Sequence, residues 1–226
     1  GDCGARLDGG FGRVLIAEAK PLDRISTLLR REAWRRMEAK GAPREACMRA
    51  GDAAAGRGVA TPPDGLSIEE AAAIAATVAA TMAREHPGLP SQEVATMTAQ
   101  GISGQRAFAN RADLGLGYGV VDGFGTPDGF IVQRRFPRAA TQALELFSDG
   151  YFAIPDARGL DAFEAAHRDV ERVDFDKLGK FPVRHEKIRI AFADDCADKF
   201  IIRPLNNFDN LSGVSFLPAA VGFFSD

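Results

Sequence analysis

Apolar residues change their spacing along this chain, and that change restricts the fold more than any other feature. Between Ser67 and His86, the residues Ile68, Ala71, Ala75, Val78 and Met82 recur mostly at three- and four-residue steps, which places them on one helical face. Ser67 followed by Glu70 has the capping-box pattern, in which the serine oxygen accepts a free backbone N–H and the glutamate reaches back. Pro87-Gly88 stops the run. Shorter apolar runs read as strands instead. These are "GRVLIA" (12–17), "LGYGVVDG" (116–123) and "GFIVQRRF" (129–136) joined by "FGTPDG", then "ALELF" (143–147), "KIRIAF" and "KFIIRP". Strands at both ends around a helical block, the late ones linked through turns, define an α+β chain with antiparallel pairing.

The helical block is expected at about residues 21–111, as a layer on one sheet. Pro21 to Lys40 reads as a helix with Leu22, Ile25, Leu29 and Met37 near one stripe and "RREAWRR" as a solvated charged face. Pro43 to Ala50 reads as a second, short helix. Residues 51–65, "GDAAAGRGVATPPDG", read as a mobile loop. Ser91 to Arg111 is helical with a break near "GISG". After "ALELF" comes another helix, 161–173, with Asp161 as N-cap, Glu164 three residues on, and Phe163, Ala166, Val170 and Val173 as its buried stripe.

With 226 residues, 46% of them hydrophobic, the chain has ample material for a core. Its 28 basic and 31 acidic side chains leave a net charge of -3, which argues against nucleic acid or an anionic membrane as the main partner. No apolar stretch approaches the roughly 18 residues that span a bilayer. The start, "GDCGARLDGG", lacks the basic and apolar regions of a signal peptide. Cys3, Cys47 and Cys196 are widely spaced and make no zinc pattern, so reduced thiols in a cytoplasmic protein are expected. The sequence starts at Gly1 and not at a methionine, and it reads as a fragment, a processed chain or a truncated one.

The chemistry-bearing residues are acidic. Asp149 ends the apolar run 143–147 and is followed by Gly150 and a second apolar pair, Tyr151-Phe152. An isolated carboxylate between apolar segments is costly to bury. It either marks a turn, for which Asp-Gly is well suited, or meets a cation. Asp194 and Asp195 repeat the arrangement between two strand-like runs, and Asp2 leads into the first strand. Oxygen ligands of this kind suit Mg2+ or Mn2+, and glycine lets the chain turn without crowding the site. His86, His167 and His185 have no Ser or Cys partner in a motif setting, so a Ser-His-Asp or Cys-His mechanism has no support. Neither a P-loop nor a dinucleotide fingerprint occurs.

Taken in order, several segments resemble the PP2C-like metal-dependent protein phosphatases, bacterial members above all. "LELFSDGYFAIPD" resembles that family's "SDG" strand-turn, and "GDC" its Gly-Asp-Ser strand start. "RAFANRADLGLGYGVVDG" resembles the "N-x-P-x-GY-x-V" segment, "FEAAHRDVERVDFDKLGKFP" the helix and loop after "SDG", and "FADDCADKFIIR" the closing "DD-x-T" strand. The resemblance covers residues 1–204 and leaves 205–226 as a tail of unassigned role. It implies a sandwich of two antiparallel sheets flanked by helices, with a pair of Mn2+ or Mg2+ ions activating water against a phosphoserine or phosphothreonine. Carried over by motif, Asp149 and Asp194 are metal ligands, Asp2 a ligand of an additional weaker metal, and Gly150 the residue that allows the close turn.

The chain also departs from that pattern. In the family the "ED" and "DG" ligand pairs and a phosphate-holding arginine lie upstream of the Gly-Asp-Ser strand, at which this sequence starts, and Ala197 stands where a threonine is expected. Weak metal binding and little turnover by this stretch alone are therefore expected. The function implied is a serine/threonine phosphoprotein phosphatase acting on a phosphoprotein or a small phosphorylated substrate. The alternative is a catalytically inactive phosphatase-like module that binds or regulates.

Overall fold

The computed structural model describes residues 3–16, 20–120, 125, 128–148, 151 and 153–179. They form an α+β structure. Strands β1 (Cys3–Gly9) and β2 (Gly12–Ile16) make a hairpin, and β3 (Thr141–Ser148) returns to the other side of β1, giving an antiparallel sheet of order β2-β1-β3. Between β2 and β3 run the helices α1 (Pro21–Ala39), α2 (Arg44–Arg57), α3 (Ile68–Glu85) and α4 (Ser91–Gln100), with a 3-10 turn at Gly101–Phe108. Helix α5 (Leu160–Val173) follows the sheet.

The helices bury a core of their own. Leu22, Ile25, Leu28 and Leu29 of α1 meet Cys47 and Ala54 of α2, Ile74, Val78 and Met82 of α3, and Met97 of α4. Among the described residues no strand residue belongs to this cluster, so the block has a core of its own and is not a layer on the β2-β1-β3 sheet. The α3 capping box forms as the sequence predicts: Glu70 N–H donates to Ser67 Oγ at 3.2 Å, and Ser67 N–H to Glu70 Oε2 at 2.7 Å. The buried stripe of α3 is Ala71, Ile74, Val78, Thr81 and Met82, whereas Ile68 stays 74% exposed at the helix start.

Residues 51–65 correct the expectation of a mobile loop. Their first half continues α2 to Arg57, because "DAAAGR" is dominated by alanine, the best helix former. Gly51 is buried there, where a Cβ would come 3.1 Å from Arg30 Cγ, so glycine serves close helix packing rather than flexibility. The chain leaves α2 through Gly58 (φ +72°), whose backbone lies directly against Ala99, Gln100 and Gly101 (φ +61°). A side chain at either glycine would collide with main chain.

The two strands expected before β3 also require correction. Leu116 is fully buried in the helical core, and Tyr118 makes one parallel bridge to Ala109. The Asn110 side chain takes the place of a neighbouring strand: its Nδ2 donates to Val120 O at 2.9 Å, and its Oδ1 accepts Val120 N–H at 2.8 Å. Residues 121–124 lie outside the described set. The run 129–136 begins in a 3-10 turn, Asp128–Phe130, and continues without a strand. Ile131 and Val132 are consecutive, which breaks two-residue alternation, and both are exposed. Phe136 packs instead on Phe11 of the hairpin turn, ring centroids 5.0 Å apart.

Helix α5 lies against the sheet, with Phe163 between Phe147 and Tyr151. Its N-cap is Gly159, not Asp161, which sits in the first turn where a carboxylate suits the helix dipole. Its buried stripe is Phe163, His167 and Val170, and Val173 is exposed. Past α5, the segment 174–179 docks on the helical unit. Arg30 Nε donates to Asp176 O at 3.1 Å, Arg44 pairs with the Asp176 carboxylate, and Leu178 packs on the helical core. The strand-like runs "KIRIAF" and "KFIIRP" and the tail 205–226 lie outside the described residues.

Candidate functional site

The four residues to which the sequence assigns metal binding, Asp2, Asp149, Gly150 and Asp194, all lie outside the described residues. The backbone beside three of them is described. In the β1–β3 ladder Cys3 pairs with Ser148, the last pair at that end of the sheet. The "GDC" and "SDG" segments, 145 positions apart along the chain at Cys3 and Ser148, therefore meet at adjacent strands.

The next ladder pairs show how this end is built. Gly4 lies opposite Phe147, and a Cβ on Gly4 would come 2.4 Å from the Phe147 ring. The missing side chain lets the ring cross the strand toward Phe163, centroids 5.4 Å apart. The Tyr151 ring meets the same Phe163 edge-on at 5.1 Å, and its hydroxyl donates to Glu164 Oε1 at 2.8 Å. Tyr151 follows the "SDG" turn directly, so α5 holds the chain just beyond it. His167, four residues after Phe163 on α5, is 4% exposed and stands edge-on to Tyr151 at 6.3 Å.

Two pairs further along, Arg6 lies opposite Glu145, both buried, and the two form an ion pair across the strands. The Arg6 guanidinium also donates to Pro155 O and, at 2.9 Å, to Ala157 O, while its carbon lies 5.6 Å from the Phe163 centroid. Glu145 Oε1 accepts the Gly159 N–H at 2.7 Å. At the hairpin end Asp8 receives Arg13 Nε at 2.9 Å and Arg158 Nε at 3.3 Å, and Arg13 Nη1 donates to Asp156 O at 2.9 Å. The Arg13 guanidinium beside Asp8 holds its carboxyl below the usual carboxylate range, against an opposing effect of burial. The segment 155–159 is thus bound to β1, β2 and β3 by four charged side chains.

Sequence reading missed this network, although its signal is present. Arg6 and Asp8 alternate with Ala5 and Leu7, and Glu145 sits inside "ALELF", so charged residues recur on one face of paired strands. His167 was legible too: Phe163, His167 and Val170 follow the same four-three spacing that marks a buried helical stripe.

Among the described residues no three His, Cys, Asp or Glu side chains group in a way that could hold a metal ion. Cys47 is a free, buried thiol. None of the helices among the described residues is long and apolar enough to cross a membrane. No family model matches the chain, and no match to it was found among curated proteins or solved structures.

Proposed function

We propose that the chain belongs to a metal-dependent serine/threonine phosphoprotein phosphatase of PP2C-like type, acting at the end of the sheet where β1 begins and β3 ends. The observation that supports this is the register: Cys3 pairs with Ser148, and Asp2 and Asp149 are each one peptide bond from that pair. The resemblance assigns ligand roles to those two aspartates, and adjacent strands joined at this end suit a shared site. In this reading the sheet belongs to one half of a two-sheet sandwich, and the run carrying Asp194 completes the ligand set. Mn2+ or Mg2+ held there supplies positive charge against a phosphate ester and a lowered pKa for bound water. The chain's own part is to bind and orient: α5 holds Tyr151, two residues after Asp149, and Arg6 and Glu145 hold residues 155–159.

The test combines Mn2+ calorimetry with hydrolysis of p-nitrophenyl phosphate in millimolar Mn2+, on this chain, on Asp149→Asn and on Asp194→Asn. Mn2+ binding that weakens at least tenfold in both variants supports the reading. Mn2+ binding unchanged by both sinks it. Metal binding without turnover identifies the binding or regulatory module instead of the enzyme.

A further inference from the structure

We propose that Arg6 and Glu145 are a positioning pair, whose task is to fix the path of residues 155–159, downstream of Asp149 in the chain. The functional half of this inference rests on the phosphatase reading above, because only that reading gives Asp149 a role. The structural half stands on contacts alone.

The pair lies directly opposite in the β1–β3 ladder and is nearly removed from water, with side chains 2% and 6% exposed. Such a pair is a poor source of stability, because desolvation offsets most of the Coulombic attraction. Two apolar side chains would fill the same face of the sheet at no loss of stability. What they cannot do is hold a main chain that has no ladder partner of its own. Arg6 donates to Pro155 O and Ala157 O, and Glu145 accepts Gly159 N–H, so both charges spend their remaining hydrogen bonds on one five-residue segment. The planar, multiply donating guanidinium is suited to this, since it serves a carboxylate and two carbonyls from one rigid fork. Residues 155–159 are consequently tied back, through Glu145, to the strand that ends at Ser148. Tyr151 is anchored on Phe163. A segment held this way has its position fixed relative to that strand.

The experiment compares the full chain with Arg6→Met/Glu145→Leu by amide hydrogen exchange resolved to single residues. The double variant is expected to keep its far-UV circular dichroism and its exchange at Leu7 and Leu144 of the sheet, and to exchange at least tenfold faster at Gly159, whose N–H Glu145 accepts. Unchanged exchange at Gly159 in the double variant overturns the proposal, as does equal acceleration at Leu7 and Leu144, which would make the pair a strut of the sheet. Mn2+ calorimetry supplies the functional half: affinity at least tenfold lower in the double variant supports a positioning role, and unchanged affinity removes it. If the parent chain binds no Mn2+, the phosphatase reading and the functional half fall together, and the exchange result still decides the structural half.

Discussion

The helical unit and the sheet with α5 solve the problem of burial in different proportions. The helical unit gathers 20 buried hydrophobic residues into one cluster spanning four helices and the turns after them, and buries the charged Arg30 and Glu32 beside it. The sheet and α5 gather three, Phe147, Tyr151 and Phe163, and bury Arg6, Asp8, Glu145 and His167 around them. Apolar packing is non-directional and tolerates small shifts, whereas each buried charge demands partners at fixed places. The first region is therefore organised for stability. The second is organised for placement, and it is the one that adjoins the acidic turn.

The largest expected effect is Phe163→Ala. It removes the residue that joins Phe147, Tyr151 and Arg6, and truncation of a buried phenylalanine costs about 3–5 kcal/mol. Loss of protection at β1–β3 amides in urea measures it. The only tryptophan, Trp34, lies in α1, so its fluorescence midpoint should stay in place. A Trp34 midpoint that falls in step with the sheet would erase the distinction between the two regions.

Next is the reciprocal change, Leu28→Ala, at a fully buried position of α1. It should cost about 2–5 kcal/mol and lower the Trp34 midpoint, with sheet amides less affected. Ser67→Ala is smaller, at about 0.5–2 kcal/mol, because it removes the cap of α3 without touching the core. A lowered thermal midpoint by circular dichroism checks it.

Acid should produce the gentlest response. Hydrogen bonding and attraction from Lys40 lower the pKa of Glu70, Arg24 does the same for Glu85, and Arg13 for Asp8. Folding favours the ionised form of each, so the stabilisation is complete above their unfolded values near 4 and is lost as pH falls through the lower, folded ones. Urea midpoints should be flat with respect to these groups from pH 7 to 5 and decline below about pH 4. Glu70→Gln should reduce the acid slope of the Trp34 signal, and an unaltered slope would show that Glu70 takes no part.

Where the sequence was legible, one local rule decided the outcome. Ser67 and Glu70 marked the start of α3, and Leu22, Ile25, Leu29 and Met37 marked the buried face of α1, as found. Reading failed where tertiary contacts overrode composition. Gly51 lies inside a helix and packs against Arg30, and Leu116 leaves a strand-like run because the helical core takes it. Asp149 was legible as a chemical oddity, whereas the Arg6–Glu145 contact could not be read from residues 139 positions apart without the strand register. The metal-ligand calls fall outside the described residues, and only their flanking register bears on them.

The contact between Lys20 and Tyr118 has a kinetic consequence. Lys20 Nζ sits 4.9 Å from the Tyr118 ring centroid, so the helical unit begins and ends at one place. Pairing β1 with β3 means closing a loop of roughly 120 residues, whose entropic cost grows with the logarithm of its length. Once the helices have folded through their mostly local contacts, the part of that loop still to be closed shrinks to about 25 residues, which lowers the closure cost by roughly 1.4 kcal/mol. The order of events follows: helices first, then the β1–β3 zipper, with Ser148 brought beside Cys3 in the final step.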